Sequence, residues 1–443
     1  MLPLSALGFI RFDVEDFLTP ESDQALAAML ESMRRAKMPG SYGIVGKKAR
    51  ALEARGQQRT LRLLADEPSI GFHSLSHSEH PTLAEDLAER SYDEAAARFV
   101  ARERPGVEAV RDLVKAPQYF TQPGGNWVPE AVEALPQLGM DIFFTDSFNS
   151  YVEDLTAPYW YGNVLHLSFP VVNPRPFGLG LPGNLEEAVE LVEAWQGRAS
   201  NDAFMVMLHP TELVTREFWD AVNYAHGRTV QTLVPAPIRT PQEQAAALQA
   251  FDRYISEVRR LNIEWCDVEG LRRKIEPRRP VMVTREALRR ALRRDGWGPL
   301  EVPDGTLSAA EALFALSVLT RYPERHEVSV PYVAAPSEWT EGAMASTPMA
   351  SDAPRHFAAG VIDAVDRTGR LPSGRVAGLT LEQGMAALLG ESPRLSFLTY
   401  IKPPERLHWD WPIFPEGFRP LRLWQDARRL AWTLKRARFR DTL

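Results

Sequence analysis

A single cysteine, Cys266, stands among 443 residues. An intrachain disulfide is therefore excluded, and the thiol content fits a reducing compartment. No apolar run approaches the roughly 20 residues that a membrane-spanning helix needs. Positive charge is not in excess: 51 Lys and Arg against 58 Asp and Glu leave a net charge of −7, which argues against nucleic acid as the main ligand. The opening stretch Met1 to Ile10 is apolar, but it has no basic leader and runs straight into Arg11-Phe12-Asp13. It reads as a first strand and not as a signal peptide, so a cytoplasmic location is expected. The length suggests two or three domains.

What the chain does have is histidine in one place. Three of its nine histidines, His73, His77 and His80, fall within the ten residues Gly71 to His80. Residues four apart share one face of a helical turn, so His73 and His77 can converge on a cation. Neutral imidazole is a common ligand for zinc and similar metals. An acidic cluster, Phe12-Asp13-Val14-Glu15-Asp16-Phe17, lies near the N-terminus. One carboxylate with two histidines makes a metal site with positions left open for water and substrate. A second carboxylate beside it can take a proton from water that the metal has acidified. Side chains alternate along a strand, so Asp13 and Glu15 should point the same way. Asp16 would come into reach only if the strand has already ended, and either Glu15 or Asp16 can be the ligand.

Short apolar runs alternate with helical patterns. Strands are expected at Gly8 to Phe12, Ser41 to Val45, Ile70 to His73, Lys115 to Thr121, Asp141 to Asp146, Val164 to Leu167 and Phe204 to His209. Helices are expected after Thr19-Pro20, over Leu185 to Trp195 and over Gln242 to Leu261. This order indicates βα units around a parallel sheet or barrel. Asp13, His73, Asp146 and His209 all stand at the C-terminal ends of such strands, where a (β/α) barrel carries its active site.

On these residues the chain resembles the polysaccharide deacetylases, metal-dependent carbohydrate esterases built on a distorted (β/α) barrel. Phe12-Asp13-Val14-Glu15-Asp16 fits a variant of the family's acidic motif. His73-Ser74-Leu75-Ser76-His77 matches its histidine pair. Phe120-Thr121-Gln122-Pro123-Gly124-Gly125-Asn126-Trp127 echoes its third motif, and Met207-Leu208-His209-Pro210 its last. The resemblance covers roughly residues 7 to 275. It implies Asp13 as general base and His209 as general acid, with His73, His77 and Glu15 or Asp16 on the metal. That metal would be zinc, with cobalt, nickel or iron as alternatives. Tyr119, Phe120 and Trp127 would wall a sugar site, the amides of Gly124 and Gly125 would face the developing oxyanion, and Asp146 would contact substrate or orient His209. The third-motif arginine that orients the base is absent, with Thr121 or Gln122 in its place; a glutamine can bond the base without the charge.

The expected architecture is α/β: a deacetylase-type barrel over 1–277, a smaller, mostly helical module over 278–402, and a tail over 403–443. Thr284 to Leu316, Arg355 to Asp366 and Leu381 to Leu389 read as helical, and Arg419 to Phe439 as a basic helix packing Trp424 and Trp432. Val361 to Ser373 resembles, over a short span, pseudomurein-binding repeats, which implies glycan recognition. The expected activity is removal of an acetyl group from an N-acetylated sugar or glycan. Hydrolysis of another non-peptide C–N amide, or glycan binding by a decayed barrel, are the alternatives. A homo-oligomer is compatible with the chain. His80, His166 and Cys266 read as supporting or buried residues, outside the chemistry.

Overall fold

The computed structural model describes residues 6–153, 157–172, 185–198, 202–341 and 351–440; Met1 to Ser5 of the opening apolar stretch lie outside them. The strands that place the site are β1 (Leu7–Val14), β2 (Ser41–Ile44), β3 (Ser69–Phe72), β4 (Tyr119–Phe120), β5 (Ile142–Asp146), β6 (Tyr159–Tyr161), β7 (Val164–Phe169), β8 (Val171–Val172), β9 (Ala203–Leu208) and β10 (Glu264–Cys266). Every residue of β1 is buried, as expected of a parallel strand covered on both faces.

Parallel pairing runs from β1 through β2, β3, β4 and β5 to β7. Past Pro170 the same stretch of chain continues as β8 and pairs with β9, which lies along the other side of β1. The ladder thus curls round until it returns to its first strand. β10 pairs with Leu7 to Phe9 and β2 with Arg11 to Val14, so each supports a different half of β1. β6 runs antiparallel to β7, and the tail strand Lys435–Arg436 adds antiparallel to β6.

Alternation sorts the side chains into layers. Leu7 and Phe9 of β1, Tyr119 of β4, Phe144 of β5 and Met205 of β9 share one apolar cluster inside the curl. Phe12, Tyr42, Phe120 and Val206 belong to a different cluster, the one that holds the helices. Two residues above Phe9 the inward face turns polar at Arg11 and Asp13. The polar end is the C-terminal end of the strands, where barrel enzymes place their chemistry.

The C-terminal third departs from expectation in two places. Thr284 to Leu316 is not one helical stretch: helix Arg285–Asp295 and helix Ala309–Arg321 are separated by a hairpin of Leu300–Val302 and Gly305–Leu307. Gly296, at φ +74°, ends the first helix, and Gly305 opens the hairpin's second strand. The basic α-helix spans only Leu421–Leu430; a 3-10 turn, Ala431–Thr433, follows, and Lys435–Arg436 then pairs with the barrel sheet. Its Arg422 donates to the Leu87 and Ala88 carbonyls and to Glu130, so that arginine binds protein rather than facing water. Trp432 is buried in the same cluster as Phe12. Among the described residues no helix is long and apolar enough to cross a membrane.

Candidate metal centre and catalytic site

A cavity of about 160 Å³ opens at the polar end of the strands, lined by Arg11, Asp13, Glu15, His73, His77, Gln122, Asp146, His209, Asp220 and Trp411, among others. The period of two along β1 carries Arg11 and Asp13 to one face, and Glu15, one residue past the strand end, joins them there. Glu15 Oε1 accepts from Trp219 Nε1 at 3.0 Å, which fixes the plane of the carboxylate.

His73 and His77 converge, but not on a helix. The segment after β3 is a tight loop in which Ser74 and His77 take left-handed backbone at φ +65° and +53°. Few residues other than glycine adopt this geometry, and such strain gathers at sites where it positions a side chain. The loop is held by the His77 amide donating to Ser74 Oγ at 2.9 Å, and the Leu75 amide donating to buried Glu103 at 2.6 Å.

The tautomers follow from the partners. His73 Nδ1 lies 3.0 Å from the Thr121 carbonyl oxygen and 2.7 Å from Thr121 Oγ1; the carbonyl can only accept and the hydroxyl can accept too, so a proton on Nδ1 satisfies both. His73 Nε2 is left as a lone pair, buried and without a hydrogen-bond partner, 3.3 Å from Glu15 Oε2. Ser78 Oγ donates to Asp220 Oδ2 at 2.9 Å and accepts from His77 Nδ1 at 2.6 Å. His77 Nε2 then points at the same Glu15 oxygen from 2.6 Å. Two imidazole nitrogens and a carboxylate oxygen meet with all three ligand atoms within 4.8 Å of one another. Lone pairs facing each other in a buried place call for a cation, and two histidines with one carboxylate suit a divalent transition metal. The outer partners, Thr121 for His73 and Ser78–Asp220 for His77, are the usual supports of metal-bound imidazoles. Without a cation the charge distributes itself otherwise. Burial opposes a charge on His77, but Glu15 and Asp220 outweigh it and raise its pKa. Burial raises Glu15, yet His77 and His209 hold it well below the ordinary carboxylate range.

Asp13, Glu15 and His209 form a second close group. Arg11 disfavours a cation there: its Nε and Nη2 each donate to one oxygen of Asp13, both at 2.7 Å, in a fully buried fork. Arg11 stands two residues before Asp13 on the same strand face, so it fixes the orientation of that carboxylate. Burial tends to raise Asp13, but Arg11, His73 and His209 lower it. His209 Nε2 stands 3.6 Å from Asp13 Oδ2, and its Nδ1 stands 3.5 Å from Glu212 Oε2, one turn further along the chain. Burial disfavours the imidazolium, but Glu212, Glu15 and Asp13 prevail and push its pKa up to about 10.

Several expected site residues stand elsewhere. Asp16 turns away from the histidines: its Oδ1 accepts from the Leu18 and Thr19 amides and its Oδ2 from Thr211 Oγ1, so it braces the start of helix Glu21–Ala36. Tyr119, Phe120 and Trp127 do not wall the cavity. All three are fully buried: Tyr119 lies in the inner apolar layer, Phe120 sits among Phe72, Phe99 and Phe143, and Trp127 stacks on Tyr151. Gln122 lines the cavity but donates to the Gly124 carbonyl at 3.2 Å, and its Oε1 is buried without a partner. Gly124 lines the cavity too, while Gly125 lies beneath Phe414 and the His408 carbonyl. Asp146 reaches the cavity and accepts from the Asn149 amide and side chain, leaving Glu212 as the carboxylate beside His209. His80 is held between Glu85 and the Tyr224 carbonyl, and His166 is a buried neutral ring whose pKa falls to about 3 through burial.

Five residues join the site without having been anticipated. Arg11 was within reach of the alternation that pairs Asp13 with Glu15, carried back one step. Glu212 follows His209 at helical spacing. Trp219 with Asp220, and Trp411, carry no local signal, because only tertiary folding brings them in.

Neither a family model nor a curated protein sequence matches the chain. Among solved structures it is similar to a protein described as a candidate polysaccharide deacetylase from Mycobacterium smegmatis, at 15% identity and a TM-score of 0.40, over 62% of this chain and 94% of that one. It is also similar to a pseudoenzyme of carbohydrate esterase family 4 from Bacillus anthracis, at 12% identity and a TM-score of 0.35, over 61% and 66%. A 4-alpha-glucanotransferase from Thermococcus litoralis gives 12% identity and a TM-score of 0.43, over 62% and 41%. Values this low bear no weight for activity, so the chemistry has to be argued from the side chains. Nothing in these similarities touches the resemblance to pseudomurein-binding repeats.

Proposed function

We propose that the chain hydrolyses an amide by means of a divalent metal held by Glu15, His73 and His77, and that the group removed is the acetyl of an N-acetylated sugar or glycan. The convergence of three buried lone pairs beside an arginine-locked carboxylate and a histidine carries this reading. Zinc suits two imidazoles and a carboxylate, with cobalt, nickel or iron as alternatives. Bound there, the metal supplies Lewis acidity toward the acyl carbonyl and toward water.

The remaining work falls to the protein. Asp13 takes the proton of the attacking water on Oδ2, the oxygen that faces both His73 and His209. Arg11 keeps that carboxyl ionised and fixes its orientation. As the water oxygen bonds to the acyl carbon and the C–N bond breaks, His209 delivers its proton to the leaving nitrogen. A carboxylic acid and an amine result. Glu212 keeps His209 protonated through neutral pH, as a proton donor requires.

A second reading, hydrolysis of another non-peptide C–N amide on a small molecule, draws support from the cavity's size. Ligand pockets commonly measure about 300–1,000 Å³, well above the 160 Å³ here. A decayed, purely binding barrel is opposed by the intact set of base, acid and ligands.

The test is metal content followed by acetate release from a panel of N-acetylated sugars, oligosaccharides and small amides. Equimolar zinc or a neighbouring metal, lost in His73→Ala, and acetate from a sugar are expected. Protein that takes up no metal under any loading condition would sink the reading; amine release from small amides alone would transfer it to the second.

A further inference from the structure

His209, the proposed proton donor, stands one residue past the point where strand pairing stops. β1 and β9 run side by side from Leu7 opposite Ala203 to Phe12 opposite Leu208, and the ladder ends there. Asp13 and His209 are the next residues along, so no rung of the sheet fixes the 3.6 Å between their side chains. The imidazole has little hold of its own, because the Asp13 and Glu212 oxygens stand 3.6 and 3.5 Å from its nitrogens, beyond ordinary hydrogen-bond length. A side-chain bond spans the two segments beyond the ladder: Thr211 Oγ1 donates to Asp16 Oδ2 at 2.6 Å, and both residues are buried. Asp16 follows Glu15 directly. Thr211 lies in the 3-10 turn Pro210–Leu213, between His209 and Glu212. Asp16 is itself anchored. Its Oδ1 accepts from the Leu18 and Thr19 amides, and its carbonyl accepts from Lys48 Nζ at 2.7 Å. Lys48 is buried and also donates to Ser22 Oγ and Asp23 Oδ1, at 2.7 and 2.6 Å. Burying such a pair costs both charges their water and returns little net stability, and the chemistry above gives Lys48 and Asp23 no task.

We infer that Asp16 and Thr211 are positioning residues. Their bond prolongs the β1–β9 register past its last rung and holds His209 where its proton reaches the leaving nitrogen, while Lys48 and Asp23 keep Asp16 in place. The inference rests on the amide-hydrolase reading above. Displacing a reacting group by about 1 Å can cost about a hundredfold in rate, so a single tie of this kind matters. The metal ligands have other supports: Trp219 for Glu15, Thr121 for His73 and Ser78 for His77. Loss of the tie should therefore weaken proton delivery and leave metal affinity alone.

The test compares leaving groups in zinc-loaded protein. The phenolate of 4-nitrophenyl acetate leaves without a proton. The nitrogen of 4-nitroacetanilide, the same skeleton with N–H in place of the ester oxygen, must take one, as must that of triacetylchitotriose, which replaces the anilide if wild type prefers it. Thr211→Val keeps the shape and loses the hydroxyl. It should lower kcat/KM on the amide by at least about tenfold and on the ester by less than about threefold, since general acids supply about a hundredfold or more only where a proton is needed. Thr211→Ser should restore the amide rate. Calorimetric titration of metal-free Thr211→Val should give the zinc affinity of wild type. Equal losses on amide and ester, a fall in zinc affinity, or no loss at all overturns the inference and leaves the reaction standing. Should Thr211→Val not fold, Thr211→Ala faces the same comparison. His209→Gln is the reference: if it spares the amide, His209 is not the donor, and the inference falls with that assignment. Wild type that cleaves no amide overturns the amide-hydrolase reading itself.

Discussion

The two ends of the chain reach the same cavity by different means. Arg11 and Asp13 arrive on β1, held by β2 along one edge and at Arg11 by β9 along the other, and Glu15 follows directly past the strand end, where Trp219 holds it. Residues 408–414 arrive as irregular chain, tied down by backbone bonds to loops and by aromatic contacts. Chemistry that tolerates little displacement sits on the rigid element, and the adaptable one contributes an indole to the cavity's lining. Removing a side chain from the first should cost metal affinity or stability, whereas removing Trp411 from the second should leave metal affinity intact.

The largest effect is expected at the metal. His73→Ala or Glu15→Ala should weaken metal binding by more than about a hundredfold, because supporting partners alone are worth 10- to 100-fold. Trp411→Ala should keep its equimolar metal. Calorimetric titration of the metal-free proteins separates the two, and loss of metal from Trp411→Ala would break the comparison. Arg11 comes next. Truncating one partner of a buried pair leaves the other charge uncompensated, so Arg11→Ala should lose about 3–5 kcal/mol of stability. The double variant with Asp13→Asn should recover much of it. Urea unfolding of the metal-free proteins measures both, and additive losses would mean that the pair is not coupled. Ser78→Ala, which cuts His77 from Asp220, should cost about 10- to 100-fold in metal affinity and leave stability nearly intact.

The rigid end was also the legible one. Strand ends carrying Asp13, His73, Asp146 and His209 can be read because alternation and chain order are local. The histidine spacing pointed to convergence for the wrong reason: a helical turn was expected, and left-handed backbone at Ser74 and His77 does the work. Asp16 could not be settled by pattern, since nothing local shows that Glu15 keeps the alternation past the end of β1 and that the chain then turns so that Asp16 holds the Leu18 and Thr19 amides. Tyr119 and Phe120 were misread because adjacent strand residues face opposite layers, and both layers here are core. Trp411 lies nearly 300 positions from Gly124, and no periodicity connects them. The helix expected to Phe439 stops at Leu430 because strand pairing, a long-range interaction, overrides helical propensity.

The smallest effect sharpens the comparison within the rigid end. His209 has a folded-state pKa of about 10 against an ordinary 6.5, raised by Glu212, Glu15 and Asp13 against the opposing effect of burial. A raised pKa means that the imidazolium stabilises the fold. Its contribution is complete below the unfolded value of 6.5 and drains away as pH climbs through the folded value near 10. Asp13 and Glu15 have lowered pKa values, so both stay ionised across that window and add no slope of their own. The stability difference between wild type and His209→Gln, measured by urea unfolding in chelator, should therefore be greatest near pH 6.5 and shrink toward pH 10. Glu212→Gln should move the decline to lower pH, because the largest favourable partner is gone. A difference that stays flat with pH would mean that His209 is held neutral, and the proton it is proposed to deliver would need another source.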